Sequence, residues 1–179
     1  MNRYQIRQMT FSAMFLGLCI VLPFLTGQIP QIGAMLSPMH IPVLICGFIC
    51  GPVWGMIVGI LGPLLRSVMF GMPKLFPTAI AMAFELAAYG ASAGILIRLL
   101  PNKSWSIYVA LIASMILGRI VWGVVQYVLL GMSGSSFTME MFLAGALTNA
   151  LPGIILHIAI IPPIVLLLRK TGLNLNGKR

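Results

Sequence analysis

The sequence predicts an all-α integral membrane protein with six transmembrane helices and both termini in the cytoplasm. Of the 179 residues, 60% are hydrophobic and only 7% are charged, and the mean hydropathy is +1.06. This composition is typical of membrane proteins and not of a soluble domain with a large core. Because six spans of about 20 residues with short loops use the whole length, we expect one membrane domain over residues 1–179.

The first three expected spans are apolar runs that are bounded by turn-forming residues. The first run follows a basic start but leads directly into further spans, so we interpret it as a membrane helix and not as a cleaved signal peptide. An uncharged loop rich in Pro and Gly precedes the short second run, and Gly51 with Pro52 forms the turn that ends it. The three spans are expected at residues 9–26, 40–51 and 53–70.

The last three expected spans are separated by one tight turn and one Gly/Ser-rich loop. The loop 71–76, which precedes the fourth span, contains Pro73 and Lys74. The tight turn between the fourth and fifth spans begins at Pro101. The loops that follow spans 1, 3 and 5 all lie on one side, so that side is expected to be the more elaborate. These three spans are expected at residues 77–99, 105–130 and 139–168.

Most basic residues lie on the other side of the six expected spans, and only Lys74 falls among the elaborate loops. This asymmetry follows the positive-inside rule and places both termini in the cytoplasm. The net charge of +9 does not indicate a nucleic-acid partner, because no basic stripe alternates with exposed aromatic residues. The eight residues on the cytoplasmic side are Arg3, Arg7, Arg98, Lys103, Arg169, Lys170, Lys178 and Arg179.

The sequence carries no pattern of catalytic or metal-binding residues. Its only acidic residues are Glu85 and Glu140, and it contains no HExxH or Walker motif. Cys19, Cys46 and Cys50 fall inside expected spans without a matching His or acidic residue, which favours packing over a metal site or a disulfide. We therefore expect neither an enzyme nor a resident cofactor.

Three charged residues, Arg66, Glu85 and Arg119, lie inside apolar runs. A charged side chain at the bilayer centre costs about 2.5–3.5 kcal/mol, so such residues face the protein interior or a wet cavity. One carboxylate does not neutralise two guanidinium groups, and Arg suits a carboxylate or phosphate partner. We interpret the surplus as part of a site for an anionic ligand. Two structural alternatives stay open, namely an ion pair of Glu85 with one arginine and an Arg66 side chain that reaches the outer headgroups.

Further polar and aromatic residues share helix faces with these charges. Helical spacing groups Tyr89 with Glu85, and Trp122 and Gln126 with Arg119. Most of these groups fall in the outer halves of their spans, so we predict a polar pocket that opens outward. The predicted ligand-binding residues are His40, Arg66, Glu85, Tyr89, Arg119, Trp122, Gln126 and Asn149.

For some of these residues a structural role is the alternative. Tyr89 and Trp122 are suited to packing, and His40 to starting a helix beside two prolines. His157, deeper in the last span, is expected to be a hydrogen-bonded histidine of the core. Small residues indicate close helix packing: glycines recur every four residues from 47 to 59, and Ala13 and Gly17 form a small pair that suits either internal packing or a docking partner helix.

Several stretches of the sequence resemble the substrate-binding (S) components of energy-coupling factor (ECF) vitamin importers. The likeness covers most of the chain, and its first two blocks are fairly specific. The stretches are Pro-Met-His-Ile-Pro-Val-Leu at 38–44, Cys-Gly-Phe at 46–48, Cys-Gly-Pro at 50–52, Gly-Met-Pro at 71–73, Ala-Met-Ala-Phe-Glu-Leu at 81–86, Tyr-Gly at 89–90, Gly-Arg at 118–119 and Asn-Ala-Leu-Pro-Gly at 149–153.

The resemblance implies a multi-pass subunit of a prokaryotic plasma membrane that binds a vitamin from outside and is inactive alone. Such S components pair with a membrane coupling protein and two cytoplasmic ATPases, and topple in the membrane to release their cargo. An Ala-xxx-Ala pattern on the first helix of the family docks the coupling protein. The matching pair here is Ala13 and Gly17.

The matched stretches are closest to the group that includes pantothenate and pyridoxine S components. The surplus arginine favours pantothenate, which carries a carboxylate. A neutral vitamin or precursor (pyridoxine, hydroxymethylpyrimidine or a benzimidazole compound) is the alternative, and Arg66 or Arg119 would then be structural. A stand-alone secondary transporter is a weaker alternative, because a proton relay usually needs several membrane acids.

Overall fold

The computed structural model describes residues 3–26, 33, 35–132, 134, 138–145, 150–173 and 175–177. All regular secondary structure within these ranges is helical. A short 3₁₀ turn, Leu22–Thr26, extends the first helix, and an irregular turn, Leu75–Ala79, precedes the fourth. The helices are α1 (Arg3–Val21), α2 (His40–Cys50), α3 (Pro52–Phe70), α4 (Ile80–Leu99), α5 (Ser104–Met132), α6 (Met139–Leu143) and α7 (Leu151–Lys170).

Five helical segments are long and apolar enough to cross a membrane, and α2 is a shorter apolar helix. This confirms the predicted fold class, an all-α membrane domain with six membrane helices. The five long segments are Arg3–Leu25, Pro52–Phe70, Leu75–Leu99, Ser104–Met132 and Leu151–Lys170.

The predicted sixth span, 139–168, contains the five-residue helix α6 and most of the long helix α7, and residues 146–149 between them lie outside the described residues. Thr138 caps α6 by accepting a hydrogen bond from the amide of Met141 at 3.3 Å. Pro152 lies in the first turn of α7, where its missing N–H costs nothing and its fixed φ suits a helix start.

Helix α2 is the buried centre of the bundle. Ten of its 11 residues are buried, and it packs against α1, α3, α4 and α7. At 1.5 Å per residue it is about 16 Å long, roughly half of a bilayer's hydrocarbon thickness. Gly51 ends it with a φ of 103°, which strongly favours glycine. Because α2 is short, its first residue, His40, lies inside the bundle and is 3% exposed.

Glycines bring α2 and α3 into backbone contact with α4. A Cβ atom on Gly47 or on Gly55 would overlap the carbonyl of Gly90, and a Cβ on Gly90 would overlap the backbone of Gly55. Gly59 and Gly94 lie equally close to backbone atoms across the same contact. We call these five residues the glycine seam. Small residues at this spacing allow membrane helices to approach closely, as the sequence pattern from 47 to 59 predicts.

Both ends of the described chain lie at the same face of the bundle. The amide of Gln8 in α1 donates to the carbonyls of Cys50, at 2.7 Å, and Leu175, at 2.8 Å. The hydroxyl of Tyr4 also donates to Leu175, which is 3% exposed. We call this end of the bundle the terminal face, and the opposite end, where α3 ends and α7 begins, the loop face.

The segment that follows α7 is fixed to the terminal face by Asn176, which is 2% exposed. The Nε of Arg98 donates to the side-chain oxygen of Asn176 at 2.6 Å. The side-chain amide of Asn176 donates to the carbonyl of Gly94 at 3.1 Å. Leu175 and Asn176 thereby connect α1, α2 and the end of α4.

The glycine seam predicts the effect of one added methyl group. Gly90→Ala forces the Cβ into the backbone of Gly55, and overpacking of this kind costs about 1–3 kcal/mol. We expect a lower thermal midpoint and a less monodisperse gel-filtration profile in detergent. The matched control is Gly131→Ala, which is exposed with nothing within 4 Å of the new Cβ and should retain or slightly raise the midpoint. Equal midpoints for the two variants would contradict the close contact.

Candidate functional site

The predicted polar residues of α2, α4 and α5 meet around the buried carboxylate of Glu85, which is 2% exposed. Its Oε1 atom accepts a hydrogen bond from the hydroxyl of Tyr89 at 2.9 Å. The same oxygen lies 3.0 Å from Nη1 of Arg119 and 3.5 Å from Nε2 of His40. Tyr89 of α4, Arg119 of α5 and His40 of α2 therefore converge on one oxygen atom of Glu85.

Backbone packing explains this convergence. Glu85 and Tyr89 are four residues apart in α4 and share a face. A Cβ atom on Gly118 would overlap the Tyr89 ring, so α5 lies close enough for the neighbouring Arg119 to reach Glu85. Glu85 precedes Arg98, which lies at the terminal face, by 13 residues of α4. This separation is about 20 Å along the helix axis, which places Glu85 in the half of the bundle nearer the loop face.

A stacked pair of histidines completes the site. The His40 and His157 rings have centroids 5.8 Å apart and planes at 19°, and His40 also contacts the Tyr89 ring at 5.2 Å. His157, which the sequence predicts to be a hydrogen-bonded histidine of the core, is 2% exposed and lies close to the Ser37 backbone. We call His40, Glu85, Tyr89, Arg119 and His157 the Glu85 cluster.

The histidine nitrogens are poorly satisfied. Both nitrogens of each ring are buried, and within the part of the chain that the structure describes none has a partner at hydrogen-bonding geometry. His40 Nε2 lies 3.5 Å from Oε1 of Glu85, and His157 lies close to the Ser37 backbone. A buried polar group left in this state costs about 1–3 kcal/mol, and native proteins usually satisfy such groups with a ligand or water.

Glu85 and Arg119 form a buried ion pair, with side chains that are 2% and 18% exposed. Desolvation of both charges is expensive, and their attraction together with the Tyr89 hydrogen bond offsets it. The pair is one of the two structural alternatives that the sequence left open. Arg119 therefore does not face the cluster as an uncompensated positive charge.

Arg66 lies apart from the Glu85 cluster, between α3 and the end of α1. Its Nη1 donates to the carbonyl of Ile20 at 2.6 Å, and its guanidinium lies 4.9 Å from the Phe24 ring and 5.4 Å from the Phe70 ring. The side chain is 3% exposed, so it does not extend to outer headgroups. Carbonyls in the last turn of a helix lack intrahelical partners, and a cation there is favourable. In the described contacts, Arg66 joins two helices.

The remaining predicted residues of α5 form a second layer towards the loop face. The Trp122 ring stacks on Phe142 of α6, with centroids 6.3 Å apart and planes at 27°. A Cβ on Gly123 or on Gly145 would overlap one of these two rings, so α6 is held against α5. Gln126 lies one turn beyond Trp122, and its side-chain oxygen is buried without a hydrogen-bond partner in the described ranges. Phe142 has no polar group and belongs to a short, non-periodic segment, so sequence reasoning missed it.

The other predicted residues lie outside this site. Asn149 falls outside the described residues. Ala13 and Gly17 are exposed on the outward face of α1, and nothing lies within 4 Å of a Cβ built on Gly17. Among the described residues, no group of three or more His, Cys, Asp or Glu is arranged to hold a metal ion.

Two open spaces in the structure do not include the Glu85 cluster. A groove of about 490 Å³ beside α1, α2 and α7 has only apolar lining residues, among them Phe15, Ile45 and Ile160. Such a lining suits hydrocarbon and offers no hydrogen bond to a polar ligand. A second cleft, at the terminal face, is lined by residues that include Gln8 and Arg98. We therefore place the candidate site at the Glu85 cluster, where buried polar groups converge.

The sequence matches one family of membrane transport proteins. The family model described as "ECF transporter, substrate-specific component" matches residues 7–165. The chain belongs to this family. No curated protein and no solved structure matches the chain significantly. The family match confirms the resemblance stated from the sequence, and it makes the chain a membrane component of a transporter, not a member of an enzyme family.

The ion pair predicts strongly coupled effects on stability. Glu85→Gln leaves Arg119 without its buried partner, and removing one member of a buried pair costs about 3–5 kcal/mol. Arg119→Gln should cost a similar amount. The double variant should cost less than the sum of the two, because it leaves no uncompensated charge. The measurement is the free energy of unfolding of the ligand-free protein in mixed micelles.

The control for this cycle is Glu140→Gln, which changes the only other acidic residue at an exposed position of α6. It should leave the free energy of unfolding unchanged. Strict additivity of the Glu85 and Arg119 single variants would show that the two side chains do not interact.

Proposed function

We propose that this protein is the vitamin-binding subunit of an ECF-type importer, and that it binds its substrate at the Glu85 cluster from the extracellular side. The observation that carries the proposal is a set of buried, incompletely satisfied polar groups inside an otherwise apolar membrane domain. Intramembrane ionisable residues are expensive and mark substrate pathways by default. Family membership supplies the transport context.

The location of the cluster supports capture from one side of the membrane. It lies in the half of the bundle nearer the loop face, with the Trp122–Phe142 layer towards that face. The basic residues Arg3, Arg98 and Lys170 belong to the terminal face, which the positive-inside rule assigns to the cytoplasm. Substrate would then enter from the outside, past the Trp122–Phe142 layer and the loops of the loop face, in a prokaryotic plasma membrane.

The proposed partners are a membrane coupling protein and two cytoplasmic ATPases. The support in this chain is the outward face of α1, where Ala13 and Gly17 present small, exposed surfaces. Small residues allow a partner helix to approach closely in a membrane. We propose that the coupling protein docks at this face and that toppling of the whole subunit releases the substrate inward.

The arginine surplus favours pantothenate as the substrate, because pantothenate carries a carboxylate. This part of the proposal depends on a guanidinium group that no carboxylate of the protein already neutralises. Arg119 already pairs with Glu85. Arg66 meets a neutral carbonyl at Ile20, so its charge is not neutralised, but its described contacts do not include the cluster. The alternative is a neutral vitamin or precursor such as pyridoxine, hydroxymethylpyrimidine or a benzimidazole compound.

Substrate binding is the first test. The protein should be purified in detergent, unfolded and refolded to remove bound ligand, and titrated calorimetrically with pantothenate and pyridoxine in parallel. We expect tight binding of one vitamin by the isolated subunit. In proteoliposomes, uptake should require the coupling protein, the ATPases and ATP. Uptake by this chain alone would instead indicate a secondary transporter.

Docking is tested by adding bulk to α1. The double variant Ala13→Leu/Gly17→Leu should retain substrate affinity but lose co-purification with the coupling protein, because two isobutyl groups prevent close helix approach. The matched control is Gly131→Leu, an exposed glycine of α5, which should co-purify normally. Unchanged co-purification of the α1 variant would place the docking surface elsewhere.

A further inference from the structure

The His40–His157 pair presents hydrogen-bonding capacity that the described chain does not use. Both side chains are almost completely buried, at 3% and 2% exposure. Neither nitrogen of either ring has a partner at hydrogen-bonding geometry in the described ranges, although the two rings stack at 5.8 Å. Buried polar groups in native proteins are nearly always satisfied. A bound molecule that reaches the edges of these rings would supply the partner that the described residues do not.

Charge in the cluster indicates that this molecule is uncharged. Glu85 and Arg119 neutralise each other at 3.0 Å, so neither is left over for a charged ligand. A carboxylate beside the rings would lie close to Glu85, and a cation would lie close to Arg119. Each arrangement places like charges together in a medium that screens them weakly. An uncharged ligand avoids both penalties.

The hydrogen-bonding groups of the two rings indicate a ligand with both donor and acceptor groups. A neutral imidazole has one N–H donor and one bare nitrogen acceptor. Two such rings are satisfied together by a molecule that carries hydroxyl or N–H donors and also acceptor atoms.

Aromatic side chains around the cluster suit a flat molecule. The Tyr89 ring contacts His40 at 5.2 Å, and the Trp122–Phe142 stack lies one turn of α5 beyond Arg119. Aromatic faces pack favourably against other rings in offset or edge arrangements. The walls of the site therefore favour a ring system over a flexible chain.

We propose that the site takes an uncharged ring molecule with hydrogen-bond donors and acceptors on its edge, and that His40 and His157 recognise that edge. This inference rests on the proposed function, since it specifies the substrate class of the same site. It assigns specificity to the histidine pair and leaves Arg66 and Arg119 with structural roles.

The experiment compares ring compounds with and without a carboxylate. The full-length refolded protein is titrated with pyridoxine and 4-pyridoxic acid, with nicotinamide and nicotinate, and with hydroxymethylpyrimidine and dimethylbenzimidazole. Pantothenate and its uncharged alcohol, panthenol, form a further matched pair without a ring. We expect at least one uncharged ring compound to bind. Where the panel contains its carboxylate analogue, that analogue should bind at least about 100-fold more weakly, because it brings an unpaired charge into the site.

The outcomes separate this inference from the proposed function. Tight binding of a carboxylate compound alone would overturn the uncharged-ring inference and leave the importer subunit in place. Binding of panthenol in preference to every ring would overturn the ring requirement. No binding by any member of the panel, together with no co-purification of a coupling protein, would overturn both.

Two histidine variants test the role of the pair. His157→Leu should weaken binding of the uncharged ring compound by about tenfold or more, because ligand groups lose their partner. The thermal midpoint of the ligand-free protein should change little, because leucine fills the buried position and the described residues offer the His157 nitrogens no partner at hydrogen-bonding geometry. His157→Gln keeps a donor and an acceptor. Its affinity for the uncharged ring compound should lie between that of the unmodified protein and that of His157→Leu. Full affinity in both variants, or a lower midpoint with unchanged affinity, would show that His157 is only a packing residue.

Discussion

The close contact of α2 and α3 with α4 at the glycine seam is the constraint on which the rest of the structure depends. Gly90 lies against the backbone of Gly55, and the residue before it, Tyr89, turns its side chain towards the cluster. In the same way, the backbone of Leu86 meets Gly59, and the residue before Leu86 is Glu85. Because the seam fixes the separation and rotation of α4, it also fixes where Glu85 points. His40 reaches the carboxylate only because α2 is short and is held against that same helix.

Polar groups inside this bundle fall into two energetic kinds. Glu85 and Arg119 satisfy each other, and Arg66 satisfies a carbonyl at the end of α1. These contacts offset the cost of burying charge in an apolar medium. The histidine nitrogens have no such compensation within the described chain. In the proposed function the substrate would satisfy these nitrogens, so that binding would supply hydrogen bonds that the described residues do not.

The sequence predicted the helices and several of the residues that meet at the candidate site, because both follow from single-residue properties. Charged residues in apolar runs stand out, and helical spacing places Tyr89 with Glu85 without knowledge of the fold. The sequence did not distinguish the two arginines. Every residue has a carbonyl, so the acceptor of Arg66 at Ile20 leaves no signal in the residue pattern. The start of α6 was also hidden, because hydropathy does not register a cap at Thr138.

The residues that follow α7 have a consequence for biosynthesis. Leu175 leaves the ribosome 167 residues after Gln8, to which it is hydrogen bonded. During translation, the first helix is already in the membrane while its polar side chain still lacks this acceptor. The carbonyls of Gly47 in α2 and Gly94 in α4 likewise lack their partner until Asn176 has been synthesised. Formation of the terminal face is therefore coupled to synthesis of residues 175–177, and a nascent chain stalled before them would lack these hydrogen bonds.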